Sequence, residues 1–335
     1  MTSMRDLIAG LPGQLRWAAG LEPPAPARAA EALVIGMGGS GIAGSIASVV
    51  ADACGSRVSV HRSYGLPSWA VSTRPLVVAV SHSGEAEETL SGVEEARRAG
   101  LPLAAVTTGG RLAALASGDG FALVPTPEVP QPRAAVGYLA GALLRLLEKA
   151  GLLPSQQDGL REAADVVERL LGGGRGPAVA LADDLAAALD HRVAVVYGGE
   201  GLEAVAAYRW KTQINENGKA IAYCSVLPEL DHNEVEAWSA YPGISRDRVG
   251  VVWLHDPLGD PRLARRARIT REALTGRVGM AGEVHAHGEG VLARLFSLIV
   301  VGDLVAVSLA ERAGTDAVAV AVISALKERL AVEGS

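Results

Sequence analysis

Short apolar runs alternate with segments of helical period along most of this chain, and few architectures accommodate that order. The runs "ALVIG", "RVSVH", "LVVAVS", "LAAVT" and "FALVPT" fall between Ala32 and Thr126, and a helix is expected from about Arg133 to Lys149. After a helix bounded by Pro154 and the three glycines Gly172 to Gly174, the alternation starts again with "RVAVVYGG", "AIAYCS", "VGVVWLHD" and "VGMAGEVHA". Runs so rich in Val, Ile, Leu and Ala suit strands covered on both faces, so the sequence predicts α/β units, each a mostly parallel sheet flanked by helices. The proline-rich "LEPPAPARAAE" sets off a helical leader, residues 1–25, from a first unit over 26–152, and a second unit with C-terminal helices spans 153–335. The duplication is read from element order, not from matched residues.

Composition narrows the partners. With 49% hydrophobic residues but only 4% aromatics, the 335-residue chain must build its interior from Ala, Val and Leu. A net charge of −6 offers no basic stripe for a nucleic acid, and "RLARRARITR" (Arg262 to Arg271) reads as a solvated helix face. Cys54 and Cys224 show neither a CxxC pair nor zinc-ligand spacing, so they read as buried small hydrophobes and no metal is expected. The most apolar stretch, "VLARLFSLIVVGDLVAVSLAERAG", is interrupted by Arg294 and Asp303, and no secretory leader is legible, so a cytoplasmic protein without membrane contact is expected.

Two loops carry the chemistry. "LVIGMGGSGIAGS" (Leu33 to Ser45) reads as strand, tight turn and helix, which aims free N–H groups at a helix N-terminus where an anion is favoured. Gly36, Gly38 and Gly41 satisfy G-x-G-x-x-G, yet the strand that follows offers His61 and Arg62 where a dinucleotide site wants an acid. At this point an NADP site using Arg62, a sugar-phosphate loop using the Ser40 hydroxyl, and a plain turn whose glycines only allow close packing all stay open. "VVAVSHSGEAEETL" ends a buried strand at Ser81, and its helix is expected to begin at Glu85, Glu87 and Glu88. Ser81 and Ser83 add hydroxyl donors there, although Ser83 reads equally well as an N-cap, and His82 reads as a neutral histidine facing the sheet.

This pair of loops resembles the sugar isomerase (SIS) domain. "WKTQINENGKAIAYCSVLPELDHNEVEAW" (Trp210 to Trp238) is similar to the segment typical of the bifunctional phosphoglucose/phosphomannose isomerase family, with its N-E-N-x-K and H-N-E elements. "PRAAVGYL" and the terminal "ISALKERL" match as well, so the likeness covers nearly the whole chain. The resemblance implies two SIS-type domains and interconversion of glucose 6-phosphate, with mannose 6-phosphate as a second aldose, and fructose 6-phosphate through a cis-enediolate. Carried over by position, it implies that Glu216 moves the proton, that His232 and Lys327 assist ring opening, and that Arg133 lies beside the developing enediolate. Gly39, Ser40, Ser81 and Ser83 would hold the phosphate. No cofactor is implied, and the assembly would be a homodimer with a shared active site to which the histidine segment comes across the interface.

The residue types fit that chemistry. One carboxylate suffices to take a proton from one carbon and return it to the next, an imidazole can both accept and supply protons near neutrality, and a fixed cation stabilises the enediolate. Two departures stand out. The family's S-x-S-G-N-T reads "SHSGEA" here, so Glu85 and Ala86 replace Asn and Thr. A lost hydroxyl donor is worth about 1.5–3 kcal/mol and a nearby carboxylate repels phosphate, unless Glu85 points outward on the first helical turn. "GTDAVAVAVISALK" keeps Asp316 without the family's proline, which loosens the placement of Lys327. The altered loop supports an alternative reading, a non-catalytic regulatory protein that binds sugar phosphate. The glycines and Arg62 alone support an NADP-dependent oxidoreductase.

Overall fold

A computed structural model describes residues 2–333. Two leading helices, α1 (Met4–Ala9) and α2 (Leu11–Ala19), precede β1 (Glu31–Ile35), α3 (Gly38–Ala53), β2 (Arg57–His61), α4 (Ala70–Thr73) and β3 (Leu76–Ser81). The chain continues through α5 (Glu87–Arg98), β4 (Leu103–Thr107), α6 (Gly110–Asp119), β5 (Ala122–Pro125), α7 (Val136–Lys149), α8 (Gln157–Leu171) and α9 (Pro177–Leu189). A second run holds β6 (Val193–Gly199), α10 (Leu202–Glu216), β7 (Ala222–Leu227), α11 (Glu234–Ala237), α12 (Pro242–Ser245), β8 (Val249–His255) and α13 (Pro261–Leu274). It closes with β9 (Gly279–His285), α14 (Val291–Arg312) and α15 (Ala321–Glu333).

Every strand pairing is parallel, in the orders β2-β1-β3-β4-β5 (sheet A) and β7-β6-β8-β9 (sheet B). The first four strands of each run therefore take the same order. In each sheet the order reverses at the first strand, giving switch points between β1 and β3 and between β6 and β8. Crevices at the carboxyl ends of such strands are where open α/β sheets bind ligands.

A continuous hydrophobic cluster links the inner faces of both sheets, from Val34 and Ile42 through Leu143 and Leu160 to Val196 and Phe296. Its axis is α14, buried from Leu292 to Ala310 apart from Arg294. That helix is apolar and long enough to cross a membrane, but 89% of its most hydrophobic window is buried in the protein. Gly302 lets it approach α10: a Cβ there would lie 2.3 Å from the Trp210 ring, whose Nε1 donates to the Leu298 carbonyl at 2.8 Å. The leader is built into this core as well, since Gln14 donates to the Ala134 carbonyl (2.7 Å) and accepts from Gly137 N (3.0 Å) at the start of α7.

Several expectations are corrected. Cys54 is exposed and Cys224 half-buried, because the first follows the last turn of α3 and the second stands on β7, an edge strand of its sheet. The helix after Ser81 starts at Glu87, two residues later than the acidic run suggests. The arginines of α13 do form a solvated face, pairing Arg262 with Asp260, Arg266 with Asp231 and Arg268 with Glu272.

Candidate active site

The site begins at the C-terminal edge of sheet A. Gly36 and Gly41 owe their identity to packing: a Cβ on Gly36 would lie 2.7 Å from the Val80 carbonyl, and one on Gly41 would lie 2.8 Å from Arg62 Nε and the Gly36 carbonyl. Arg62 is itself committed, donating to the Gly41 carbonyl (2.9 Å) and to Ser45 Oγ, with its guanidinium over the Tyr208 ring. Its Nη2 is thus turned back onto the glycine loop itself, which weakens the feature that favoured a dinucleotide.

Both serine loops converge. Ser40 Oγ accepts from His82 N at 3.4 Å, so the loop after β1 touches the loop after β3. Ser81 Oγ accepts from Gly84 N (3.1 Å), and Ser83 Oγ accepts from Glu85 N (3.2 Å). Each hydroxyl is used as an acceptor, which leaves its proton for an outside oxyanion. Thr108 Oγ1 fixes the turn by donating to the His82 carbonyl at 2.6 Å. His82 is buried and burial pushes its imidazole below the usual value, so it is neutral as expected.

Glu85 does not face these hydroxyls. Its Oε1 accepts from Arg111 N at 2.7 Å, capping the first turn of α6. The sequence suggested that Glu85 could serve its own helix, whereas the carboxylate serves the neighbouring one.

Arg133 joins the two sheets. It lies not on α7 but in the short 3-10 turn before it, Pro132–Ala134, and a Cβ on Gly39 would lie 3.4 Å from its Cα. The buried guanidinium donates through Nη1 to Gln131 Oε1 (2.6 Å) and Glu216 Oε1 (3.1 Å), and through Nε to Asn217 Oδ1. Nη2 donates to the carbonyls of Ala317 and Val318, both at 2.9 Å. Burial pulls Arg133 down from its ordinary range while Glu216 opposes that shift, and a guanidinium starting so high stays a cation. Glu216, 30% exposed, ends α10 and keeps a face open to solvent. Lys219 donates to the Glu216 carbonyl at 2.5 Å and is held below the normal lysine range, first by burial and then by Arg133.

Gly39, Ser40, Ser81, Arg133 and Glu216 are thus brought to one region, with Ser83 on its exposed rim. His232 and Lys327 are not. α10 runs back against the strands, so Glu216 lies at the N-terminal edge of sheet B, where Asn215 Oδ1 accepts from Ala222 N at 2.9 Å. His232 follows the other end of β7, in a 3-10 turn over Glu229–His232, and the six residues of β7 separate the two by about 20 Å at about 3.3 Å per residue. Lys327 stands on α15, exposed throughout residues 321–330. Among the described residues neither side chain makes a hydrogen bond or ion pair.

Sequence reading missed the frame behind Arg133. Asn217 Nδ2 donates to Gln213 Oε1 (2.9 Å), and Arg209 pairs with Asp303 (Nε–Oδ1 3.0 Å, Nη2–Oδ2 2.7 Å) while donating to the Arg133 carbonyl at 3.0 Å. The signal for that pair was Asp303 itself, the one charged residue between Leu295 and Ala310 in the buried length of α14, which calls for a buried cation.

Fold and site together define an α/β protein of the SIS type. Residues 178–330 match the family described as bacterial phospho-glucose isomerase C-terminal SIS domain. The chain is 38% identical over 304 residues to a bifunctional phosphoglucose/phosphomannose isomerase of Caldicellulosiruptor bescii, covering 89% of each protein. It is 34% identical to the protein of the same name from Aquifex aeolicus, covering 88% of each. Among solved structures, tagatose-6-phosphate ketose/aldose isomerase from Escherichia coli superposes with a TM-score of 0.70 at 14% identity, covering 95% of both chains, a likeness of fold alone. The chain belongs to the bifunctional phosphoglucose/phosphomannose isomerase family.

Proposed function

We propose that this chain interconverts glucose 6-phosphate, and mannose 6-phosphate as the second C2 epimer, with fructose 6-phosphate. The observation that carries this reading is the Arg133–Glu216 pair at 3.1 Å, next to the Gly39–Ser40 turn. In this reading the phosphate docks on the N-terminus of α3 and on the Ser40, Ser81 and Ser83 hydroxyls, which leaves the far end of the opened sugar toward Glu216. The Glu216 carboxylate takes the C2 proton of the aldose, and the electrons of that C–H bond become the C1=C2 bond as the carbonyl electrons move to O1. Arg133 stabilises the resulting enediolate. Transfer of the hydroxyl proton from O2 to O1 and delivery of the Glu216 proton to C1 then give the C2 ketone. No redox partner is consumed.

Ring opening is assigned to His232 and Lys327. Since Glu216 and His232 stand at opposite edges of sheet B, both serve one centre only if a second copy supplies the histidine. The reading therefore includes a cytoplasmic homodimer with a shared site, and two SIS units, 26–152 and 153–335, behind a helical leader. Exposed apolar residues on α15, Val322 at 84% and Leu326 at 58%, give such a partner something to cover.

The purified protein is given fructose 6-phosphate, and glucose 6-phosphate is read by a coupled dehydrogenase. Turnover is expected, with a loss of about 10²–10⁴-fold in Glu216→Gln. Absence of turnover in the unaltered chain, with sugar phosphate still bound, would instead favour a regulatory binding protein. Mixing Glu216→Gln with His232→Ala subunits should restore about one quarter of the activity if the site is shared, and none if each chain is self-sufficient.

A further inference from the structure

The geometry points to a cation site away from the Arg133 region: we propose that His255, Glu283 and His285 bind one borderline divalent ion of the zinc, cobalt or nickel class. The three lie on the last pairs of β8 and β9, where parallel register sets His255 beside His285 and Trp253 beside Glu283. Glu283 and His285 are two apart on one strand and so share a face.

The side chains have converged. The imidazole rings stack with centroids 4.9 Å apart and an interplanar angle of 24°. His255 Nε2 lies 2.9 Å from Glu283 Oε2, yet that approach lacks hydrogen-bond geometry, and this buried nitrogen has no hydrogen-bond partner among the described residues. One donor atom from each of the three residues falls within 4.8 Å of the others. Arg271 pairs with the other carboxylate oxygen, Oε1, which orients Glu283 so that Oε2 faces the rings.

Two imidazole nitrogens and one carboxylate oxygen are a donor set for Zn²⁺, Co²⁺ or Ni²⁺, not for Mg²⁺ or Ca²⁺, which take oxygen shells. Bonds of about 2.0–2.2 Å to a tetrahedral ion need donors about 3.3 Å apart, a closure that rotation of the exposed His285 can supply. A fourth position would stay open to water or an anion. The bound ion would clamp β9, the edge strand of sheet B, to β8. It would stand at the opposite edge of the sheet from Glu216, so its presence is independent of the isomerase reading.

The test uses the untagged full chain, stripped with a chelator and dialysed against Co²⁺ and, separately, Zn²⁺. Expected are one saturable ion per chain, a Co²⁺ visible spectrum changed from that of the aqueous ion, and a higher melting temperature with metal. His285→Ala and Glu283→Gln, both at positions open to solvent, should each weaken binding tenfold or more while their metal-free melting curves stay cooperative. Removing the exposed His191 should change nothing. No saturable binding, or equal affinity in His285→Ala, overturns the proposal.

Discussion

Between β1 and β3 the crevice of sheet A is bordered by Ser40 and Ser81, whose oxygens accept from the backbone and whose hydroxyls donate to no acceptor among the described residues. Between β6 and β8 the equivalent crevice of sheet B is already filled. Glu203, on the first turn of α10, accepts from Gly199 N at the end of β6 and from Asp256 N just after β8. Burial pushes Glu203 above the usual carboxylate range while those two N–H groups oppose the shift. The hollow beside it, about 240 Å³, is lined by Asp52, Glu200, Asp256 and Asp260 with Arg294 as its one cation, which pairs with Asp256, so acids outnumber bases around it. Topology thus supplies anion-seeking donors at both switch points. A serine takes up such an N–H group and offers its own hydroxyl proton to a ligand, whereas a glutamate supplies the anion from within.

The largest effect is expected where the halves are joined. Asp303→Asn strips Arg209 of its counter-charge inside the core and should cost about 3–5 kcal/mol in chemical denaturation, with activity lost because Arg209 holds the Arg133 carbonyl. Next come the serines. Ser40→Ala and Ser81→Ala each remove a hydroxyl donor to a charged group, about 1.5–3 kcal/mol, so KM for sugar phosphate should rise about 10- to 100-fold with kcat nearly kept. An equal fall in kcat at unchanged KM would break the comparison.

Glu203→Ala is the converse. Two buried N–H donors lose their acceptor, costing about 1–3 kcal/mol, and calorimetry should then find a second phosphate per chain that the unaltered protein lacks. If no second phosphate binds, the carboxylate is not what keeps the sheet B crevice closed. The smallest effect is expected of Glu85→Ala, which removes the acceptor from the first turn of α6 and should cost about 1 kcal/mol or less. KM should stay within about twofold, whereas a large fall in KM would show that Glu85 faces the phosphate site and repels the anion.

Much of the fold was legible because period and composition act locally. The nine strand-like runs became nine strands among the described residues, and Gly36 and Gly41 marked a place where backbone meets backbone. Side-chain direction was not legible. Whether Glu85 faces its own helix or the next depends on where α6 lies in space, a long-range packing outcome that no local window contains. Glu216 and Arg133 stand 83 residues apart, and only the return of α10 toward sheet A joins them. The N-E-N-x-K resemblance could single out Glu216 but gave no hint that Asn217 would accept from Arg133, or that Gln213 would hold Asn217 in turn.

The central claim is that Glu216, held by Arg133, exchanges a carbon-bound proton on a sugar anchored at the sheet A crevice. Incubating fructose 6-phosphate with the protein in deuterium oxide, and following the C1 protons by NMR, tests it directly. Deuterium should enter C1 with the unaltered chain and stop doing so in Glu216→Gln, while that variant still binds fructose 6-phosphate with affinity changed by less than about tenfold. Exchange that continues in Glu216→Gln would contradict the assignment.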